Sequence, residues 1–325
     1  MNIKWQTIIL IGLILFSGIL IHSFFSPISI SSEERPSLKT PSSSSSFVFD
    51  FQKNNELNSS FQNQSLLQRD WSVLDPEIKA KAVLVESLDY HLPLFHKNIS
   101  ESWPIASLTK LFTASVFLEN SRVDEKVEIT PQAVQTEGDA GGLKAGEIYN
   151  NRDLLKIMIL TSSNDAAVAL AQHFNQNNNF SPGTDFISLL NQKAKEIKMT
   201  ATRFEDPSGL SPGNYSNASD LALMTEYILN NHPEIFTWSR LPNILVEPLN
   251  KPSIKKIFNI NPLINDPDFL GGKTGTNDES GGNLIALFSL KNDRILIIIL
   301  GSEADRFQQA KEILKWAEKA YYSNK

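Results

Sequence analysis

Ser107 and Lys110 lie three residues apart, a spacing that sets both side chains on one face of a helix. Serine is a weak nucleophile at its free pKa and needs a base beside it. A lysine becomes that base once its own pKa falls, and burial or a second cation both lower it. Further along, Ser162-Ser163-Asn164 offers a hydroxyl and an amide ahead of an alanine-rich segment. Such a pair can relay a proton and hold a substrate amide without a titratable group. Lys273-Thr274-Gly275-Thr276 adds a cation able to attract a carboxylate and to depress the pKa of Lys110. Thr274 and Thr276 can bond the same carboxylate, and Gly275 lets backbone approach closely on an edge strand. The chemistry is covalent catalysis by Ser107, with Lys110 as general base, Ser162 as proton shuttle with Asn164, and residues 273–276 binding substrate.

Each motif is weak by itself. Ser253-Ile254-Lys255-Lys256 also fits Ser-x-x-Lys, but no Ser-x-Asn separates it from Lys273, and Pro252 and Pro262 frame a non-helical context. Ser162-x-Asn164 alone reads as a helix cap, and Lys273-Thr-Gly alone as a glycine-rich turn leading to a strand near Leu284. The joint reading rests on three motifs in one order with Ser107 near a helix start, where partial positive charge favours an alkoxide and a later oxyanion.

The elements that must position these residues follow from periodicity. Residues 82–87 and 92–97 read as antiparallel strands around the Asp89-Tyr90 bend. Pro104 sits near the start of a helix over 107–118, with Leu108, Leu111, Phe112, Ser115 and Leu118 at helical spacing. Asn150 or Asn151 is expected to cap a helix to about 160, Asn164 or Asp165 one to about 174, and Ser219 one over 220–230; residues 183–198 form another. Strands over 284–290 and 294–300 pair around Lys291-Asn-Asp293, and an amphipathic helix closes over 304–321. A strand pair, a run of helices, more strands and a last helix is an α+β pattern with an antiparallel sheet. It is not a nucleotide-binding alternation.

With 325 residues and 41% hydrophobic content the chain can bury a sizeable core. A net charge of −6 without a basic stripe argues against nucleic acid as a partner. There is no cysteine, which excludes disulfides and thiolate chemistry. The five histidines show no metal-ligand spacing, and the chemistry calls for no cofactor. Glu137 and Asp139 read as solvated loop residues, and Trp103 as packing. Residues 7–25 are nearly all apolar with Lys4 ahead of them, which predicts an anchor within residues 1–25 whose amino end stays cytoplasmic. A secretory signal peptide is the rival, although no small-x-small cleavage site follows. Residues 26–70, rich in Ser, Pro, Asn and Gln, read as a flexible tether, and 71–325 as the catalytic domain.

Taken with Ile105-Ala-Ser-Leu-Thr-Lys-Leu111, Leu160-Thr-Ser-Ser-Asn-Asp-Ala-Ala-Val168, Phe204-Glu-Asp-Pro-Ser-Gly-Leu210 and Gly272-Lys-Thr-Gly-Thr276, the chain resembles the D-alanyl-D-alanine carboxypeptidase family of low-molecular-mass penicillin-binding proteins. The resemblance spans roughly residues 81–302. It implies a five-stranded antiparallel sheet flanked by helices, with a helical subdomain. Ser107 would attack the penultimate D-alanine carbonyl of a peptidoglycan stem peptide, with Lys110 as base. Ser162 and Asn164 would handle the leaving-group proton, Lys273 would hold the terminal carboxylate, and the N–H groups of Ser107 and Thr276 would form the oxyanion hole. β-Lactam antibiotics would acylate the same serine. The resemblance places the body on the extracytoplasmic side of the membrane.

Three other readings share these residues. An endopeptidase acting on peptidoglycan crosslinks differs only in how it accommodates the amino side of the substrate. A class A β-lactamase would need Glu-x-x-Leu-Asn, whereas the nearest string, Ile187-Ser-Leu-Leu-Asn191, has isoleucine in the glutamate slot. An inactive peptidoglycan-binding module would not retain every catalytic side chain. The sequence stops one helix after the last strand, leaving no room for the C-terminal β-domain that many relatives carry.

Overall fold

The computed structural model describes residues 67–323, apart from 123, 139 and 178–183. The expected anchor and most of the expected tether lie outside the described residues, as does Asp139. The first described strand, β1 (Leu67–Arg69), falls within the stretch read as tether and pairs with the last, β13 (Tyr321–Ser323). The ordered body therefore starts slightly earlier than 71. No helix among the described residues is long and apolar enough to cross a membrane.

Along the chain come β2 (Ala82–Ser87), β3 (Leu92–Lys97), β4 (Trp103–Pro104) and α1 (Thr109–Asn120). Next are β5 (Lys126–Glu128), β6 (Ile148–Asn150), α2 (Asn151–Thr161), α3 (Asn164–Asn177), α4 (Phe186–Glu196), β7 (Tyr215–Ser216), α5 (Ala218–Asn231) and α6 (Glu234–Ser239). The rest comprises β8 (Asn243–Val246), β9 (Lys255–Phe258), β10 (Phe269–Asn277), β11 (Gly281–Leu290), β12 (Asp293–Ser302) and α7 (Arg306–Ala320). Five strands form one antiparallel sheet in the order β10-β11-β12-β2-β3, so the α+β, five-stranded expectation is met.

Alternation divides the central strands between two cores. Leu296, Ile298 and Leu300 pack with the helical region around α1, while Ile295, Ile297 and Ile299 pack under α7 with Ile313, Trp316 and Ala317. Residues 295–300 read as an unbroken apolar run because both faces are covered. β11 and β12 are joined by Lys291 and Asn292, with Lys291 at a φ of 59° and Asp293 already in the strand. α1 is buried throughout Thr109–Phe117 and is a central helix, not a surface one.

Several caps differ from expectation. Asn150 caps α2 by accepting from Arg152 N at 2.9 Å. Ser163, not Asn164 or Asp165, caps α3, its Oγ accepting from Ala166 N at 3.1 Å. Asn217, not Ser219, caps α5 by accepting from Asp220 N at 2.7 Å. Asp185 and Asp305 cap α4 and α7, which sets their starts three and two residues later than read from sequence. The decoy Ser253 and Lys256 are exposed, with Lys256 on β9.

Candidate active site

Three elements converge on Ser107. A 3-10 turn, Ala106–Leu108, leads into α1 and places Ser107 half-buried at its head. Ala106 takes a φ of 47° and Ser162, the C-cap of α2, a φ of 61°. An L residue in that region costs of order 1–3 kcal/mol, so the surrounding packing must hold both. The α2–α3 junction supplies Ser162 and Asn164. Because Ser163 does the capping, both flanking side chains are left for other partners. Edge strand β10 supplies Lys273, Thr274, Gly275 and Thr276. A Cβ on Gly275 would lie 2.8 Å from Ile105 O and 3.0 Å from Ser107 N, so only glycine lets this strand run against the nucleophile turn.

Lys110 is fully buried. Its Nζ lies 2.9 Å from Ser107 Oγ, 2.7 Å from Asn164 Oδ1 and 2.6 Å from the carbonyl of Ser208. Burial, and then the Lys273 charge, push its pKa well below the ordinary 10.5, while Asp206 pulls weakly the other way. A neutral amine has two N–H donors and one lone pair. The carbonyls of Asn164 and Ser208 can only accept, so they take the two donors and the lone pair faces the Ser107 hydroxyl. Asn164 is oriented for this because its Nδ2 donates to the Glu137 carbonyl at 2.6 Å. The exposed side chain of Glu137 fits its reading as solvated, but its backbone belongs to the site.

Lys273 is buried at 2% exposure and donates to Ser162 Oγ at 2.9 Å and to the Thr274 carbonyl at 2.8 Å. Burial, then Arg306, bring its pKa down to about 7. Arg306, the first residue of α7, has an Nε buried without a hydrogen-bond partner, and its Nη1 would be 2.9 Å from a Cβ on Gly282. Among the described residues neither Lys273 nor Arg306 forms an ion pair with a carboxylate. Lys273 and the Ser162 hydroxyl thus stand near the Lys110–Ser107 pair, with the Arg306 charge close enough to be felt by Lys273.

Sequence reasoning missed Arg306, for which no local signal exists, and gave no role to the loop carrying Ser208, although the string Phe204–Leu210 was part of the resemblance. Asp206 Oδ1 accepts from Ser208 N at 2.6 Å, Ser208 Oγ at 2.7 Å and Gly209 N at 2.7 Å, while Oδ2 accepts from Ser211 N at 2.7 Å. Asn214 ties this loop to α1 by donating to Thr109 Oγ1 at 3.1 Å. The Asp-Pro-Ser-Gly string is a turn signature, but nothing in it reveals that its carbonyl meets a lysine 98 residues away. Trp103 donates its Nε1 to the Ser280 carbonyl at 2.8 Å, in keeping with packing. Ile187 packs against the main core, and Asn191 holds Phe204 through both backbone groups, so that string is structural.

A five-stranded antiparallel sheet whose edge strand faces a serine–lysine pair at the head of a buried helix defines the active-site serine DD-peptidase class. A sequence model of the D-alanyl-D-alanine carboxypeptidase family matches residues 70–304, and the chain belongs to that family. It is 28% identical over 256 residues to D-alanyl-D-alanine carboxypeptidase DacC of Escherichia coli, covering 74% of this chain and 62% of that protein. It is 34% identical over 228 residues to a D-alanyl-D-alanine endopeptidase of Haemophilus influenzae, covering 68% of this chain and 75% of that one. The chain thus spans somewhat under two thirds of its carboxypeptidase relative. Among solved structures, a D-alanyl-D-alanine carboxypeptidase from Mycobacterium tuberculosis superposes with a TM-score of 0.69 at 25% identity, covering 79% of this chain and 99% of that one. Penicillin-binding protein D2 of Listeria monocytogenes, in its ampicillin-bound form, superposes at 0.65 with 26% identity over 75% and 99% of the two chains.

Proposed function

We propose that the protein is a serine-type D-Ala-D-Ala carboxypeptidase acting on peptidoglycan stem peptides. The observation that carries this is Lys110: it is buried, its pKa is pushed well below the ordinary value, and its Nζ lies 2.9 Å from Ser107 Oγ and within hydrogen-bond reach of two carbonyls, so that once neutral it can take the serine proton. Ser107 attacks the penultimate D-alanine carbonyl while Lys110 takes its proton. The N–H groups of Ser107 and Thr276 receive the oxyanion, and losing one such donor costs roughly a hundredfold to a thousandfold in rate. As the C–N bond breaks, the proton reaches the leaving amine through Ser162, and terminal D-alanine departs. Water then hydrolyses the acyl-enzyme. Lys273, Thr274 and Thr276 hold the terminal carboxylate, with Arg306 adding positive charge, and that carboxylate restores the ammonium form of Lys273. Asn164 positions the substrate amide. β-Lactams, whose carboxylate and strained amide mimic this substrate, acylate Ser107.

The body works on the extracytoplasmic side, held by an anchor within residues 1–25 and the tether read over 26–70, with export by a signal peptide as the alternative. An endopeptidase is the second reading, favoured by the name of the Haemophilus relative. Incubation with purified muropeptides and mass analysis separates the two. Release of D-alanine from pentapeptides supports the carboxypeptidase; conversion of crosslinked dimers to monomers, without that release, overturns it in favour of the endopeptidase.

A further inference from the structure

The β8–β9 hairpin is inverted relative to an ordinary surface strand pair. Its inner face is apolar, with Val246 and Ile257 buried. Its outer face is apolar as well. Leu245 stands opposite Lys256, and Asn243 opposite Phe258, which places Leu245, Lys256 and Phe258 together on the outward side. Ile254 and Ile260 extend the same alternation at either end of β9. Exposure is 68% for Leu245, 71% for Ile254, 61% for Phe258 and 56% for Ile260, with Leu249 at 55% in the connecting loop. A folded surface usually scatters such residues, and a contiguous patch marks a contact.

The hairpin is held firmly. Asn250 accepts from Ile148 N at 2.9 Å and donates to the Gly146 carbonyl at 2.8 Å. Lys255 pairs with Glu147 at 2.7 Å, and Asn259 donates to the carbonyls of Ser239 and Leu241 at 2.8 and 2.9 Å. Its outward face is therefore a fixed feature of the surface.

Charge indicates the partner. The chain carries a net −6, yet Lys251 and Lys256 stand exposed against Glu247 in residues 243–260, Lys255 being paired with Glu147. Lys256 Nζ lies 5.1 Å from the Phe258 ring centroid, an aromatic and a cation presented side by side. Aliphatic and aromatic side chains rimmed by lysines match an anionic headgroup layer, in which the chains enter the acyl boundary and the ammoniums stay among the phosphates. The stretch read from its composition as a tether is about forty residues long, and on that reading it would reach on the order of 35 Å. A body confined that close meets the bilayer at high effective concentration, so a weak second contact suffices.

We propose that the outward face of the β8–β9 hairpin is a membrane-docking surface, seating on the anionic headgroup layer of the bilayer to which the chain is tethered. This rests on the anchored reading above. Docking would also orient the cleft, since Ile260 N donates to the Leu160 carbonyl at 3.0 Å, two residues before Ser162.

The chain has no cysteine, so Ser253→Cys carries a single nitroxide beside the patch and Ser188→Cys on α4 serves as a control. The full chain is reconstituted into phosphatidylglycerol or phosphatidylcholine vesicles and floated on a gradient. Collision with oxygen and with a water-soluble nickel chelate then gives the depth of each label. On phosphatidylglycerol the label at 253 should shift to a membrane-depth ratio while the label at 188 stays aqueous. Leu245→Ser combined with Phe258→Ser should abolish that shift without changing turnover in detergent. A chain that floats with an aqueous label at 253 overturns docking and leaves the anchor standing. A chain that does not float contradicts the anchor, and docking with it. Spin–spin broadening that grows with protein density means the hairpin pairs with a second copy, which also overturns the proposal.

Discussion

The sheet interior and the cleft are both excluded from water, but they bury opposite materials. Around β11 and β12 the buried atoms are Leu, Ile and Phe side chains alternating between two cores. A few residues away the cleft buries Lys110 and Lys273 as completely. The sheet interior gains from every group it covers, at about 25 cal/mol per Å2 of apolar surface. The cleft loses with every cation it covers, and the pKa of both lysines falls as a result. Stability and chemistry are thus separated in space, and substitutions in the two regions should move different observables.

The sharpest break is at Ser107. Ser107→Ala should abolish covalent labelling by fluorescent penicillin while leaving the thermal midpoint unchanged; persistent labelling would remove Ser107 as nucleophile. Lys110→Met should slow acylation by about two to four orders of magnitude, the range of general acid–base assistance. The same change replaces a buried amine with an apolar chain of similar length, so the folded state should be as stable as the parent or more so. A large loss of stability in Lys110→Met would contradict the separation. Asp206 acts at one remove, fixing the Ser208 carbonyl against Lys110. Asp206→Asn should cost roughly a hundredfold in acylation, as small displacements in a cleft do. Loss of the Asp206 charge should also move the acid limb of the acylation pH profile downward, a shift that a purely structural defect would not produce.

The sheet supplies the converse. Ile297→Ala should cost about 2–5 kcal/mol in chemical denaturation, with an unchanged acylation rate for the folded fraction. The cleft also leaves a mark on the pH dependence of stability. Lys273 has a pKa near 7 when folded and near 10.5 when unfolded, so between those values the unfolded chain binds more protons and stability rises with pH. Lys273→Met removes that contribution. Its stability advantage over wild type should be greatest below pH 7 and shrink as the pH rises toward 10.5; an advantage independent of pH would mean Lys273 is not depressed.

The same contrast accounts for what could be read from the sequence. The sheet was legible because short unbroken apolar runs and the tight Lys291-Asn292 turn are local signals. The motif residues were legible because their types are rare in such an order. The Ser208 carbonyl, the Glu137 carbonyl and Arg306 were not, because a backbone oxygen carries no residue identity and the contacts are long-range. The cap of α3 was misread for a related reason. In Ser162-Ser163-Asn164 all three side chains are good caps, and only the fold shows that Ser163 takes the task and leaves its neighbours to the cleft. The outward apolar face of β9 escaped notice because alternation gives a strand's two faces without saying which one the core covers.

The central claim is that Lys110 is a neutral amine in the resting enzyme, and titration of its Nζ tests it most directly. Isotope-labelled lysine in the intact protein gives an Nζ resonance, assigned by its disappearance in Lys110→Met, that can be followed by NMR across pH. The account predicts that this resonance titrates well below 10.5, because the amine is buried and lies near the Lys273 charge. An ammonium that persists until the pH approaches 10.5 would contradict it.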